Sequence, residues 1–568
     1  MSHLMAIAVG PVQDFIAAAR RTRDLWFGSY LLSEISRSVA ASVEANGGKL
    51  IFPALIDTAN VANVILAELP SGEPNAVGAK AKQAAEECWH GFAIHSRKEA
   101  GNAINDEVWK HQISDVIEFY AAWVSYLDSA NYAEDRKRLM RLLNGRKNCR
   151  DFSEQLFSDV GVPKSSLDGQ RASVLVQPKF RGERDKLRKS WPSSLRLSVG
   201  EELDVVGVTK RLGKRKDTNH PTYPSVARVA AETWLSGQEK QGELETLRLA
   251  CEKLISKGLN TVREENYQYF PYEGTVVFKD RLTDLQNELN LQDADFADVK
   301  AALKDLRPEP NPYLAILVAD GDKMGATISA LSSPAAHRAF SQDLAGFAVE
   351  AERVVTSHNG VLVYAGGDDV LAFLPVDKCL SCARSLHSDF GKRLNAYGIS
   401  TLSVGIGIGH FMDNLEDLLD YGRAAEKAAK TPDRNGLAVH LHKRGGAPIR
   451  VRANWNQHLD QRLIRFASLM NACVIPSKLP YELRAMSKLY ENWPENADAA
   501  IQQDLCRLIA KKSSRSSESV RQALAEDLKE MNATKLLTFS HELLVARQIA
   551  FAMQQAEGHF ERVTEVTS

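Results

Sequence analysis

The sequence predicts an α+β protein in which two βαββαβ units are joined by a mainly helical connector and followed by a helical C-terminal region. Three observations point there. Short apolar runs with strand character gather in two stretches of the chain, helical periodicity fills the gaps within each stretch, and strand character fades after about residue 448. A length of 568 residues is too great for one ordinary core and accommodates roughly three or four domains.

In the first stretch, strand-like runs fall at residues 4–9, 50–52 and 63–69, with a long helical pattern over 12–46 after the first. A helix over 79–96 and an apolar stretch over 117–126 complete a βαββαβ unit of ferredoxin-like type, placed at residues 1–130. Over 131–307 the pattern loosens into charged helical segments, a turn-rich piece at 162–169 and a basic stretch at 210–216. Pro308, Pro310 and Pro312 then break regular structure and mark the entry to a second unit, residues 308–446. Its expected order is strand 313–319, helix 334–358, hairpin 360–365 and 370–374, helix 378–397, strand 402–409, helix 414–430 and strand 437–441. Residues 447–568 are expected to be helical, with an exposed Ser- and charge-rich loop at 511–519.

Composition narrows the class of protein. Hydrophobic residues at 44% and charged residues at 25% fit a soluble globular chain rather than a disordered or fibrous one. No apolar run reaches the ~20 residues that cross a bilayer, and the N-terminus lacks a secretion signal, so a cytoplasmic home and no membrane partner are expected. A net charge of -1 supplies no global field for nucleic acid, so contact with RNA must be local or shared with partners. Seven scattered cysteines predict reduced thiols rather than disulfides.

The chemistry gathers in the second unit. In a βαββαβ sheet the first and third strands are antiparallel neighbours, so Asp320, at the end of the first, lies beside the turn Gly366-Gly367-Asp368-Asp369. The glycines permit a tight hairpin and let a phosphate approach the backbone. Three carboxylates so close repel one another unless cations are present, and Mg²⁺ (or Mn²⁺) prefers carboxylate, water and phosphate oxygens. Metal ions held there would help activate a ribose hydroxyl and stabilise leaving pyrophosphate in phosphoryl transfer. Asp322 is expected to point like Asp320, Gly321 to offer a backbone carbonyl, and Lys427 and Lys430 to share a helix face that binds triphosphate oxygens.

Each signal has a plainer alternative. Gly-Gly-Asp-Asp is ordinary hairpin chemistry, and the decisive addition is Asp320 at the end of a strand of the right order. Lysines ending a helix also complement its dipole, so Lys427 and Lys430 stay open between that role and phosphate binding. Cys379 and Cys382 form a CxxC with no second pair to complete a metal site, and buried thiols are expected. The cluster Lys210, Arg211, Lys214, Arg215 and Lys216 reads equally as a solvated loop or an RNA-phosphate contact. Arg20, Arg21 and Arg23 are left open between a solvated face, an ion-pairing face and a nucleotide contact.

With these residues in view, a family resemblance emerges. Ala8-Val9-Gly10-Pro11-Val12-Gln13-Asp14-Phe15-Ile16, Arg20-Arg21-Thr22-Arg23-Asp24-Leu25-Trp26 and Gly28-Ser29-Tyr30-Leu31-Leu32 resemble the opening of the large subunit of type III CRISPR effector complexes, Cmr (type III-B) lineage. Leu203-Asp204-Val205-Val206-Gly207-Val208-Thr209-Lys210-Arg211-Leu212, Ala319-Asp320-Gly321-Asp322-Lys323-Met324-Gly325 and the 366–369 hairpin resemble the same family. The resemblance implies two facing palm domains of nucleotidyl-cyclase type and ATP as substrate. It also implies cyclic oligoadenylate synthesis for antiviral signalling when the complex, built with other Cmr-type subunits and guide RNA, holds target RNA. Some relatives instead couple AMP to an acceptor such as S-adenosylmethionine.

The family's catalytic pair falls on Asp368 and Asp369, and its strand-end carboxylate on Asp320. In the first palm the matching strand ends in Gly10-Pro11 and the region 54–62 carries only Asp57, so that palm is expected to bind acceptor nucleotide or serve as scaffold without holding metal. Many relatives begin with a histidine-aspartate nuclease domain; this sequence contains no His-Asp dipeptide, and DNA cleavage is not expected. Cys149 and Cys251 stand far apart where relatives carry a four-cysteine element, so no structural zinc is expected. Two rivals remain: a diguanylate-cyclase-like enzyme using GTP through the same carboxylates, and a non-catalytic ribonucleoprotein scaffold.

Overall fold

The computed structural model describes residues 2–558 except 59, 71–72, 127–130, 150–160, 181, 199, 215–222, 263–266, 290, 399–400, 492, 494–497, 513–521, 523, 525 and 529–530. The protein is mixed α and β, with two separate sheets and many helices.

The first sheet has strands β1 (Ser2–Gly10), β2 (Lys49–Phe52), β3 (Val64–Leu69) and β4 (Glu118–Tyr126) in the order β2-β3-β1-β4, all antiparallel. Alternation along β1 sends Met5, Ile7 and Val9 to one face, where they meet α1 (Thr22–Ala45) and α2 (Pro74–Ala100). Leu4, Ala6 and Ala8 go to the other face, under α3 (Tyr132–Asn148). Because both faces are covered, β1 reads as a continuous apolar run rather than an alternating one. The helix expected over 12–46 is broken into a short turn, Gln13–Ala17, and α1. The buried Lys210 ammonium takes the carbonyls of Phe15 and Ala18, which a continuous helix would use internally.

Through 131–307 the described residues form helices, including α4 (Val205–Leu212) and α5 (Val226–Lys240), with only isolated β-bridges. Here the structure corrects one expectation. Lys210 and Arg211 are neither a solvated loop nor an RNA contact: both are buried in α4, and Arg211 reaches Asp24 (2.7 Å) on α1 and Glu201 (2.9 Å). Arg211 holds α1 to the connector, and Lys210 holds the segment just before α1. Lys214 faces Glu99 at 3.9 Å, and Arg215 and Lys216 lie outside the described residues. Arg21 likewise pairs with Glu288 (2.9 Å), and Arg23 donates to the Gly213 carbonyl (3.1 Å).

The second sheet has β5 (Tyr313–Gly321), β6 (Val361–Gly366), β7 (Asp369–Leu374), β8 (Leu402–His410), β9 (Gly436–Leu441) and β10 (Ile449–Asn454) in the order β10-β9-β8-β5-β7-β6. β5 runs antiparallel to both β7 and β8, whereas β8 and β9 are parallel. Helices α6 (Pro334–Ser357) and α7 (Cys379–Leu394) cover the face of Ala315, Leu317 and Ala319. Buried Cys379 and Cys382 belong to that core. On the face of Leu314 and Ile316, α8 (Leu415–Ala429) lies so low that a Cβ on Gly405 would stand 1.9 Å from the Glu426 nitrogen. That close approach brings the end of α8 down to the end of β5.

The sequence expectation of no strand beyond 448 is corrected by β10, which pairs antiparallel with β9. Ile449, Val451 and Ala453 are buried while Arg450 and Arg452 alternate with them, a strand period that is only six residues long in charged surroundings. Helices α9 (Leu459–Asn471), α10 (Leu479–Tyr490), α11 (Asp498–Lys512) and α12 (Ala533–Glu557) follow. The expected loop at 511–519 begins inside α11, and residues 513–519 lie outside the described ones.

Candidate active site

Ala319 of β5 pairs with Val370 of β7, so Asp320, the next residue, meets the turn that opens β7. In that turn Gly366 pairs with Asp369 and leaves a two-residue loop, Gly367-Asp368. Gly367 has φ +71° and Asp368 keeps a negative φ, the signs of a type II′ turn, which tolerates only glycine comfortably at its first position. A Cβ on Gly367 would meet nothing within 4 Å, so this side of the turn is open to a ligand.

Gly321 is required for a different reason. A Cβ there would lie 2.8 Å from Asp368 Cβ, 2.8 Å from Met324 Cγ and 2.9 Å from Phe390 Cζ, so only glycine lets the turn settle against the end of β5. As a result, carboxylate oxygens of Asp320, Asp368 and Asp369 all lie within 4.8 Å of one another. Among the described residues this is the one group of three His, Cys, Asp or Glu side chains so arranged.

Crowding shows in the electrostatics. Burial, then the Asp320 charge, pushes the Asp368 carboxyl up to about 6, although N–H donors and Lys430 pull the other way. Asp369 is raised more strongly by burial, by a hydrogen bond shared with Asp320 and by the neighbouring charges. Beneath the turn, Tyr364 is raised by burial and then by Asp369 and Asp368. Three oxygen donors without histidine or thiolate suit a hard cation such as Mg²⁺ or Mn²⁺, which would replace protons as the neutralising charge.

The remaining predicted residues divide. Lys430 donates to Asp320 and pairs with Glu426 at 2.6 Å; burial works against its charge but is outweighed by these two partners. Lys427 is exposed and has none of these bonds, so the expected shared face is filled by Lys430 alone. Asp322 corrects the expectation that it points like Asp320. Its carboxylate is buried and accepts from Thr401 Oγ1 (2.8 Å), Ser403 Oγ (2.9 Å) and the Asn435 N–H (2.9 Å), fastening β5 to β8 and to the start of β9. β5 ends at Gly321, so the two-residue alternation stops before Asp322. Sequence reasoning missed Glu426, although its i, i+4 spacing to Lys430 is a recognisable pairing signal.

Known proteins are similar to this chain. The family model described as Cas10/Cmr2, second palm domain, matches residues 313–438, which hold all three carboxylates. The model for the CRISPR-associated protein Cmr2, N-terminal, matches residues 4–77. A curated relative, the CRISPR system Cmr subunit Cmr2 of Pyrococcus furiosus, is 25% identical over 93% of this chain and 71% of its own length. The chain resembles the Cmr2 subunit of type III-B complexes. Among solved structures, this Cmr2-like chain resembles one in the type III-B Cmr-beta complex in the apo state, with TM-score 0.62 and 15% identity over 91% of this chain and 77% of that one. A chain of Cmr-beta bound to cognate target RNA gives 0.61 and 14% over 90% and 79%. At such identities the structural matches speak for the fold.

Proposed function

We propose that this Cmr2-like chain is the large subunit of a type III-B effector and, when target RNA is bound, joins ATP into cyclic oligoadenylate. The carrying observation is the convergence of Asp320, Asp368 and Asp369 at one sheet end, on a turn whose outer side is open. Both sheets are read as ferredoxin-like palms: the order β2-β3-β1-β4 and the β8-β5-β7-β6 part of the second sheet follow the same pattern. The division is taken as 1–130, 131–307, 308–446 and 447–568, with β10 extending the second sheet past its unit.

A divalent cation held by the three carboxylates would neutralise the triphosphate and the leaving pyrophosphate during attack by a ribose hydroxyl. The chain's own residues prepare for that. Asp368 stands in the two-residue turn and Asp369 opens β7 beside it; Gly367 leaves its side of the turn bare for phosphate oxygens, whereas the Gly366 side is filled by the Tyr364 ring. Lys430, steered by Glu426, carries positive charge to the edge of the cluster and is read as the triphosphate contact. Asp322 acts at one remove, by fixing the end of β5. Guide RNA, target RNA and other Cmr-type subunits are the expected partners in the cytoplasm; no described helix is long and apolar enough to cross a membrane.

The test is the assembled complex supplied with target RNA, Mg²⁺ or Mn²⁺, and ATP or GTP, with products identified by mass. Cyclic oligoadenylate that disappears in Asp368→Ala/Asp369→Ala, with assembly intact, is the expected result. A product made from GTP alone, or none from ATP in the intact complex, would overturn the reading.

A further inference from the structure

The hairpin that carries Asp368 and Asp369 begins with β6, and among the described residues β6 is an edge strand, paired only with β7. An edge strand lacks the second neighbour that fixes register, and this one also contains an irregularity between Leu362 and Tyr364, where its pairing with β7 shifts. Such a strand needs anchors from elsewhere if the turn it feeds is to hold a fixed height against Asp320.

Two anchors are present, and both come from the connector. At the irregularity, the Tyr223 hydroxyl donates to the Leu362 carbonyl. The Tyr223 ring is stacked on Trp26 of α1, with centroids 4.9 Å apart, and next to it Thr22 Oγ1 donates to the Pro224 carbonyl at 2.9 Å. Just before β6, Asn359 adopts φ +54°; its carbonyl accepts from the Tyr267 hydroxyl (2.9 Å) and its side-chain amide donates to Glu232 (2.9 Å). Glu232 is itself held by Arg228 at 2.6 Å, and both are buried in α5.

We propose that Tyr223 and Asn359 are positioning residues: through the Leu362 carbonyl and the entry to β6, the connector and α1 set where the Asp368-Asp369 turn stands relative to Asp320. A shift of the connector against the second sheet therefore moves two of the three carboxylates and leaves the third behind. This rests on the reading of those carboxylates as a cation-holding group.

The test uses the full chain in its complex and two readouts, of which the first needs no nucleotide. Tyr223→Phe removes the hydroxyl and keeps the ring stack; Asn359→Gly removes the amide at a backbone angle glycine accepts. Loss of one such bond is expected to speed amide hydrogen exchange over residues 364–369 about fivefold and to lower kcat for ATP joining by a similar factor, with KM unchanged. Lys253→Ala breaks an exposed ion pair with Asp298 (2.7 Å) inside the connector, neither partner of which bonds to β6, and is expected to leave both readouts at wild-type values. Wild-type exchange in both Tyr223→Phe and Asn359→Gly, or equal acceleration in Lys253→Ala, would overturn the proposal. A wild-type complex that joins no ATP would overturn the functional reading while the exchange result still decides the positioning.

Discussion

Gly321→Ala places one methyl group where the second sheet's end is most tightly closed. The new Cβ would stand 2.8 Å from Asp368 Cβ and Met324 Cγ, against the 3.4 Å at which ordinary contact begins, so something must yield by the difference, 0.6 Å. Phe390, 2.9 Å away, is fully buried and Met324 nearly so, leaving the half-buried turn as the part freest to move. Overpacking of this kind costs about 1–3 kcal/mol. Displacing reacting groups by ~1 Å costs ~10²-fold in rate, so a loss of about 10- to 100-fold in ATP joining is expected. The assay is turnover by the assembled complex together with the thermal midpoint of the chain. Gly325→Ala is the control, because a Cβ there meets nothing within 4 Å and its effect should be small. Wild-type turnover in Gly321→Ala would refute the claim that the turn must touch the end of β5.

Asp322→Ala leaves Thr401, Ser403 and Asn435 without their shared acceptor and is expected to lower stability by about 3 kcal/mol in urea unfolding. If instead it abolished cation binding at unchanged stability, Asp322 would be a ligand and not a brace. Arg211→Met strands the buried Asp24 and Glu201 carboxylates, and a loss of about 3–5 kcal/mol is expected by the same measurement. A change under 1 kcal/mol would contradict the role of Arg211 in holding α1. His337, against Tyr132 and the Arg136 charge, is lowered from 6.5 to about 4 by burial and then by Arg136. Its folded form binds fewer protons than the unfolded chain, so its contribution is fully present above pH 6.5 and is lost as pH falls toward 4, by up to about 3 kcal/mol. Unfolding midpoints of wild type and His337→Asn measured between pH 7 and 4.5 should converge as pH drops, and parallel curves would refute this.

The site was legible because its parts are local. An apolar strand ending in Asp320 and a glycine-rich turn between two short apolar runs are read from periodicity, and the antiparallel order of the sheet then brings them together. What escaped was set by tertiary contact. Lys210 and Arg211 look solvated in sequence, yet the carbonyls freed by the break before α1, and Asp24, give them buried partners. Asp322 changes face because the strand stops one residue earlier. β10 hides because its inward Ile449, Val451 and Ala453 alternate with arginines over too short a span to outweigh the helical pattern that follows. Lys427 and Lys430 share spacing but not fate: Glu426 and Asp320 capture only the second.

The central claim is that Asp320, Asp368 and Asp369 act together on one divalent cation. Mn²⁺ binding to the full chain in the presence of a non-hydrolysable ATP analogue, followed by electron paramagnetic resonance, tests it most directly. Single changes of each residue to Asn should weaken binding by at least about tenfold, as expected when one of few charged ligands is removed, and the triple change should abolish it. Wild-type affinity in the triple variant would contradict the account.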